Sequence, residues 1–290
     1  MLRCERWIVE TWMNTLGSSA EHPDTLPRRP TVRRKADTTR YRMNERDWDK
    51  VADTFEKEIF NVPANDTKGI ILDWVERLAT PDAVATDLGC GVGRTLPMLA
   101  ERYRHVYAVD VSSQCLDVAA KANPLRSNIE YVHADLSKDR NSYPATDVVL
   151  CINTLLNASL EVREPLIDRT CRSVKKGGHL LLVVPSLNST LLTAYRHLQW
   201  NLRDGMDARD AQKAAALNGK GLEHGIVHID GVPTKHYLKE ELEALFTERG
   251  FNVLDVDKIE YPWTTEFDAP PRWMKAPYPW DWFVAAQRVR

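Results

Sequence analysis

Long apolar runs are missing from this sequence. Strand-sized stretches such as Leu180–Pro185 are the longest of them, far short of the ~18 uninterrupted apolar residues that a membrane helix needs. Cysteine is scarce. Cys4, Cys90, Cys115, Cys151 and Cys171 are scattered and odd in number, with no CxxC pair and no Cys/His spacing. That excludes a disulfide-stapled miniprotein and gives no sign of a metal site. A surplus of one charge is also lacking: 39 Lys+Arg stand against 41 Asp+Glu, a net charge of −2, which argues against a surface built wholly for polyanions. No repeat of fixed period occurs. A secretory apolar core is missing too, because Glu5, Arg6 and Glu10 interrupt the first residues. A cytoplasmic protein with free thiols is the expectation.

What is present is a globular composition. The 290 residues are 43% hydrophobic and 28% charged, which excludes a mostly disordered chain. Residues 1–44 differ from the rest. They are rich in Pro, Ser, Thr and Arg, with a basic run at Arg28, Arg29, Arg33, Arg34 and Lys35. They read as an N-terminal arm, partly disordered. Its basic run is either a solvated tail or a contact for RNA.

From residue 44 apolar residues recur at helical spacing through Trp48, Ala52, Phe55 and Phe60 to a stop at Pro63. A second helix runs from about Asp66 to Leu78. The rhythm then alternates. Strands are expected at 83–88, 105–111, 128–136, 146–152 and 179–186. Helices are expected at 92–103, 113–123 and 160–176, the last capped by Gly177-Gly178. Such alternation implies a parallel, doubly wound sheet. After Pro185 come two helices (191–202 and 207–218), a hairpin over 223–237 turning at Asp230-Gly231, a helix at 238–250, and strands at 251–261 and 281–289.

The residues richest in chemistry are Asp87-Leu88-Gly89-Cys90-Gly91-Val92-Gly93, where the first strand gives way to a helix. Glycines there allow a sharp turn and a close approach of backbone to ligand, and a helix start offers free N–H groups. The dinucleotide spacing Gly-x-Gly-x-x-Gly fails, because Arg94 stands where the third glycine belongs. A P-loop is absent as well, since no Gly-Lys-Ser/Thr follows. Asp110 ends the second strand, where a carboxylate can accept from both ribose hydroxyls. Asp135 ends the third, where it can accept from an exocyclic amine. These strand ends share the carboxyl edge of the sheet.

Together DLGCGVG, the AVD that ends in Asp110 and the HAD that ends in Asp135 resemble the class I S-adenosylmethionine-dependent methyltransferases. VKKGGHLLLVVP resembles the region before that family's fifth strand. The resemblance spans about 45–290. It implies a Rossmann-like α/β sheet of seven strands, mostly parallel with the last antiparallel, helices on both faces and an insertion after strand 5 (186–237). It implies S-adenosylmethionine as cofactor. Gly89, Gly91 and Gly93 would line its methionine part, with Asp87 orienting the amino group. Asp110 would hold the ribose and Val111 pack on the adenine. Ala134, Asp135 and Leu136 would form the adenine edge, with Asn153 near the methyl group.

No catalytic motif is required, since transfer from a sulfonium asks the protein chiefly to align an acceptor and exclude water. The Asn/Asp-Pro-Pro-Tyr/Phe signature of amide and nucleobase methylators is replaced by Asn153-Thr154-Leu155-Leu156. A small-molecule acceptor is therefore the leading expectation, with an RNA acceptor bound by the basic arm, or a cofactor-binding module without transfer, as alternatives. The acceptor pocket is expected from Tyr41 and Trp48, from Tyr195 and His228 of the insertion, and from Trp263 and Trp273 of an aromatic loop at 262–282. His236 and Tyr237 are candidates for base or anchor, and Glu266 for holding a cationic acceptor amine. The aromatic loop alternatively serves a homodimer contact.

Overall fold

A computed structural model describes residues 45–52, 54–55, 59–138, 142–217, 221–229 and 231–290. The arm 1–44 with its basic run, Tyr41, and Asp230 of the expected turn lie outside the described residues.

The first helices are short. The expected helix over 44–60 is described as α1 (Glu45–Val51) with a further turn at Phe55. Pro63 opens α2 (Val62–Asn65) rather than ending its predecessor, because proline suits a first helical turn, where its missing N–H costs nothing. Then follow α3 (Ile70–Leu78), β1 (Val84–Leu88), α4 (Leu96–Ala100), β2 (His105–Asp110), α5 (Ser113–Ala122), β3 (Ile129–His133), β4 (Thr146–Ile152), α6 (Leu160–Ser173) and β5 (Val174–Pro185). The helix after the glycine motif starts only at Leu96, since residues 91–95 are spent on turns and Pro97 sits in the first turn. Gly177 and Gly178 lie inside β5, not at a helix cap. Val174 already pairs with Thr146, and a register shift between Thr146 and Val148 absorbs the irregularity.

The insertion holds α7 (Leu187–Arg203), α8 (Ala208–Ala215) and a hairpin of β6 (Ile226–Ile229) and β7 (Val232–Lys235). Helix α7 starts four residues earlier than the apolar pattern suggests, because the Ser186 hydroxyl caps the N–H of Ser189. Helix α9 (Lys239–Glu248), β8 (Phe251–Glu260) and β9 (Trp280–Arg288) complete the chain.

Seven strands form one sheet in the order β3-β2-β1-β4-β5-β9-β8. Strands β1 to β5 are parallel, and β9 runs antiparallel between β5 and β8. The order reverses between β1 and β4, and the carboxyl ends of the parallel strands share one edge. Strand β5 is buried on both faces, as a central parallel strand must be. Leu180, Leu182 and Val184 join a core with Ile167, Leu242 and Phe246. Leu181 and Val183 join a second core with Ile71, Trp74 and Leu99. Helices therefore cover both faces. Among the described residues no helix is long and apolar enough to cross a membrane.

Candidate functional site

The glycine motif turns off the end of β1 and closes against β2. The N–H groups of Gly89 and Cys90 both donate to the Val109 carbonyl, at 2.8 and 3.1 Å. Two of its glycines have no substitute. Gly89 sits at φ 71°, and a Cβ there would lie 2.2 Å from the Thr154 hydroxyl oxygen. Gly91 sits at φ 52°, and its Cβ would lie 2.7 Å from the Phe55 ring. Left-handed backbone and close packing both require glycine. Thr154 in turn donates to the Leu88 carbonyl at 2.8 Å, fastening the loop after β4 to the end of β1.

Asp110 is the hinge pin of this loop. Its Oδ2 accepts the N–H of Gly91 and its Oδ1 that of Ser112, each at 2.8 Å. Burial raises its pKa, and the backbone donors around it oppose the rise. Asp87, one strand over, is buried and takes a short hydrogen bond from the Thr95 hydroxyl. Burial lifts its pKa to about 7, with the Asp110 charge adding to the effect. Val111 holds the His133 ring through its carbonyl at 2.9 Å. The N–H of Ala134 donates to the carbonyl of Asp110, which sets the two strand ends side by side. Asp135 is half-buried. It accepts from the N–H and hydroxyl of Ser137 and pairs with Lys138 at 2.6 Å, which holds its pKa down against the opposing effect of burial. Leu136 is buried beside it.

Above this edge stands the amino-terminal segment. Phe55 lies on Gly91, and Arg94 stacks on Phe55 while donating to the carbonyls of Phe55, Ile59 and Phe60. Trp48 is half-buried, and α1 is tied to the start of α5 by Asp49, which accepts from the Ser112 hydroxyl at 2.6 Å.

Asn153 follows β4 with φ 50°. Its Oδ1 is buried and has no hydrogen-bond partner among the described residues. Its side chain lies beside Asp281, the second residue of β9, which pairs with Pro185 at the end of β5. The Tyr261 hydroxyl donates to Asp281 Oδ2 at 2.9 Å. Glu266 approaches the same carboxylate from the loop between β8 and β9, and the Asp281 charge adds to the effect of burial in lifting Glu266 to about 7. Burial likewise lifts Asp281 to about 6, against the hydrogen bonds from Tyr261 and Asn153. Both residues are half-buried.

The other expected side chains are placed differently. His236 is buried, contacts the Thr234 carbonyl through Nδ1 at 3.2 Å, and is lowered to about 4 by burial, so it is neutral at physiological pH. Tyr237 is 1% exposed and its hydroxyl donates to the Leu155 carbonyl at 2.6 Å. That hydroxyl is committed to pinning the loop after β4. His228 lies on β6, and its buried Nδ1 has no hydrogen-bond partner among the described residues. Trp263 is buried in a cluster with Phe267 and Met274 that packs on Leu192 and Trp200 of α7, and Trp273 is half-buried at its edge beneath Arg203. These tryptophans bind the loop to the insertion. Tyr195 is half-exposed, and its hydroxyl accepts from the Gln199 amide. Asp281 and Tyr261 escape a reading by motif. The available signal was an acid inside the apolar run Trp280–Ala286. Among the described residues no group of three or more metal-ligating side chains occurs.

The cradle fits an adenosyl ligand on its own geometry. Each Asp110 oxygen accepts one backbone N–H and has lone-pair capacity left for a diol.

A family profile described as "Methyltransferase domain" matches residues 85–178. A ribosomal protein L11 methyltransferase of Dechloromonas aromatica (strain RCB) is 30% identical over 125 residues, 42% of this chain and 39% of that protein. A trans-aconitate 2-methyltransferase of Azoarcus sp. (strain BH72) is 32% identical over 116 residues, 39% of this chain and 44% of that protein. The chain thus spans about two-fifths of the length of these relatives. A solved S-adenosylmethionine-dependent methyltransferase from Methanosarcina mazei superposes with TM-score 0.54 at 18% identity, over 74% of this chain and 97% of that one.

Proposed function

On the premise that the chain carries a class I S-adenosylmethionine-dependent methyltransferase domain, we propose that it transfers a methyl group to a small molecule enclosed between the cofactor cradle, the insertion 186–237 and the loop 262–282. The observation that carries this reading is the meeting at one sheet edge of the Asp110-locked glycine loop with Asn153 after β4 and Asp281 at the start of β9.

The bound cofactor supplies a methyl group already activated on a sulfonium. Asp110 holds the ribose hydroxyls, Asp135 and the backbone of Ala134 and Leu136 the adenine, and Gly89, Gly91 and Gly93 with Asp87 the amino-acid end. Phe55 and Trp48 close the amino-terminal side. The loop 262–282 excludes water, anchored through Trp263 and Trp273 on α7. Tyr237 acts by positioning the loop after β4, since its hydroxyl holds the Leu155 carbonyl and the N–H of nearby Lys235 holds that of Leu156, while His236 is bonded to the Thr234 carbonyl. Both relatives are named for quite different acceptors, a ribosomal protein and a small acid. The small acceptor is favoured here by the packing of the loop 262–282 on the insertion through Trp263, Trp273 and α7.

A screen of fractionated cell metabolites with methyl-labelled S-adenosylmethionine tests this. Label should appear in a small-molecule fraction and be absent with Asp110→Ala. Label found only in RNA or protein would overturn the small-molecule reading.

A further inference from the structure

We propose that Arg172 and Arg288, with Arg169 beneath them, form a second ligand site, which takes the phosphate group of a small organic phosphate monoester. The site lies at the edge of the sheet opposite the cofactor cradle and stands independently of the methyl-transfer reading.

The site is an open cavity of about 620 Å³, within the usual range for small ligands. Three arginines line it, and no acid is among its lining residues. Chain direction explains the gathering. Tyr143, Pro144 and Ala145 lead into the amino end of β4. Arg169 and Arg172 stand near the end of α6, just before the amino end of β5. Strand β9 runs the other way, so its last residue, Arg288, arrives at the same edge. The seven residues of β4 separate this edge from Asn153 by roughly 20 Å. A small ligand cannot reach both.

The guanidinium groups are fixed by contacts that leave donors over. Arg169 is 5% exposed and lies on the Tyr143 ring, 4.1 Å from its centroid, which makes it a rigid floor. Arg288 directs Nη1 to the carbonyls of Cys171 and Val174 at 3.3 and 2.7 Å, and Nε to the backbone oxygen of Arg290. These bonds pin Arg288 beside the backbone of Arg172. Its Nη2 has no acceptor among the described residues. Arg172 is exposed, donates no hydrogen bond and forms no ion pair among the described residues.

The neighbouring acids are engaged elsewhere. Asp168, one turn before Arg172 on α6, lies on Arg249 Nε at 3.4 Å, and Glu164 pairs with Arg249 Nη2. Asp147 pairs with Lys175 at 2.9 Å. Guanidinium groups stay charged at any physiological pH, so the cavity carries positive charge with no described side-chain carboxylate on Arg172 or Arg288. An anion entering it offsets that mutual repulsion.

The donor arrangement selects the anion. A carboxylate offers two oxygens in one plane and a single charge, which the fork of Arg172 alone would satisfy. A phosphate monoester carries about −1.5 to −2 charge at pH 7 and three acceptor oxygens pointing in different directions. It can take the Arg172 fork and Arg288 Nη2 together. Pro144 and Ala145 supply an apolar wall for the organic body.

Calorimetric titration of the full chain at low salt with phenyl phosphate, inorganic phosphate and sodium benzoate tests the site. Phenyl phosphate should bind at least ~10-fold tighter than benzoate, and more tightly than inorganic phosphate, which has nothing to lay on the apolar wall. Arg172→Ala, a change at an exposed side chain, should weaken phenyl phosphate by ~10-fold or more, the loss of about one charge-assisted hydrogen bond. The same variant should bind S-adenosylhomocysteine as wild type does. Benzoate or inorganic phosphate binding as well as phenyl phosphate, unchanged affinity in Arg172→Ala, or displacement of phenyl phosphate by S-adenosylhomocysteine would overturn the proposal. So would binding of an RNA oligonucleotide by a chain that ignores phenyl phosphate. The wild-type comparison of phosphate with carboxylate decides the matter without any variant.

Discussion

Replacing Asp110 by alanine removes a carboxylate that acts in two directions. Inward, its two oxygens hold the N–H groups of Gly91 and Ser112, each at 2.8 Å. Outward, the same oxygens would accept the two ribose hydroxyls. A hydrogen bond to a charged group contributes about 1.5–3 kcal/mol. Two of them amount to about 3–6 kcal/mol, or roughly 10²–10⁴-fold in affinity. The inward loss strands two backbone donors, at about 1–3 kcal/mol each, while relief of a buried charge offsets part of that. The variant should therefore fold with a lowered melting temperature and bind S-adenosylhomocysteine at least ~100-fold more weakly by calorimetry. Asp110→Asn, which keeps one carbonyl acceptor and loses the charge, should fall between. An affinity for Asp110→Ala within about threefold of wild type, in protein shown to be folded, would refute the assignment of the ribose to this residue.

Gly91→Ala should destabilise the loop and abolish cofactor binding, because its Cβ meets the Phe55 ring at 2.7 Å in a left-handed backbone; a melting curve with a cofactor titration checks both. Tyr237→Phe orphans the buried Leu155 carbonyl and should cost about 1–3 kcal/mol in urea unfolding, with the pH dependence of activity unchanged if the residue only positions. Leu181→Ala, in the two-sided core of β5, should cost about 2–5 kcal/mol. Glu266 is raised in the folded state to about 7 from 4.5. The folded chain therefore binds more protons there than the unfolded chain, and this group's contribution is full below pH ~4.5 and is lost as pH rises through ~7. Glu266→Gln should gain stability relative to wild type between pH 5 and 8, by about 1–3 kcal/mol; parallel melting-temperature curves would contradict this.

The sheet and the glycine loop at its edge were legible because each rests on a local rule. Alternating apolar segments announce strands and helices, and Gly89, Gly91 and Asp110 fall at strand ends where chain direction alone brings them together. What escaped was set by contacts remote in sequence. Tyr237 reads as a candidate base beside His236, yet Leu155, 82 residues away, takes its hydroxyl. Trp263 and Trp273 read as walls of a pocket, while their partners on α7 draw them into the loop's own support. Pro63 reads as a stop because proline breaks helices, and only the turn before it shows that it begins one. Asp281 carries no motif. Its meaning appears once β9 is seen to run backwards beside β5.

That reversed direction has a practical consequence. A strand laid against its neighbours' polarity brings its beginning, not its end, to the edge where theirs finish. Glu266 and Asp281 are consequently contributed by one uninterrupted stretch of chain, while Asp110 and the glycine loop belong to the opposite half. The two halves can be rewritten separately. On the proposed methyl-transfer reading, exchanging the segment 261–281, from the end of β8 through the start of β9, should change which molecule is accepted and leave S-adenosylhomocysteine affinity unchanged by calorimetry.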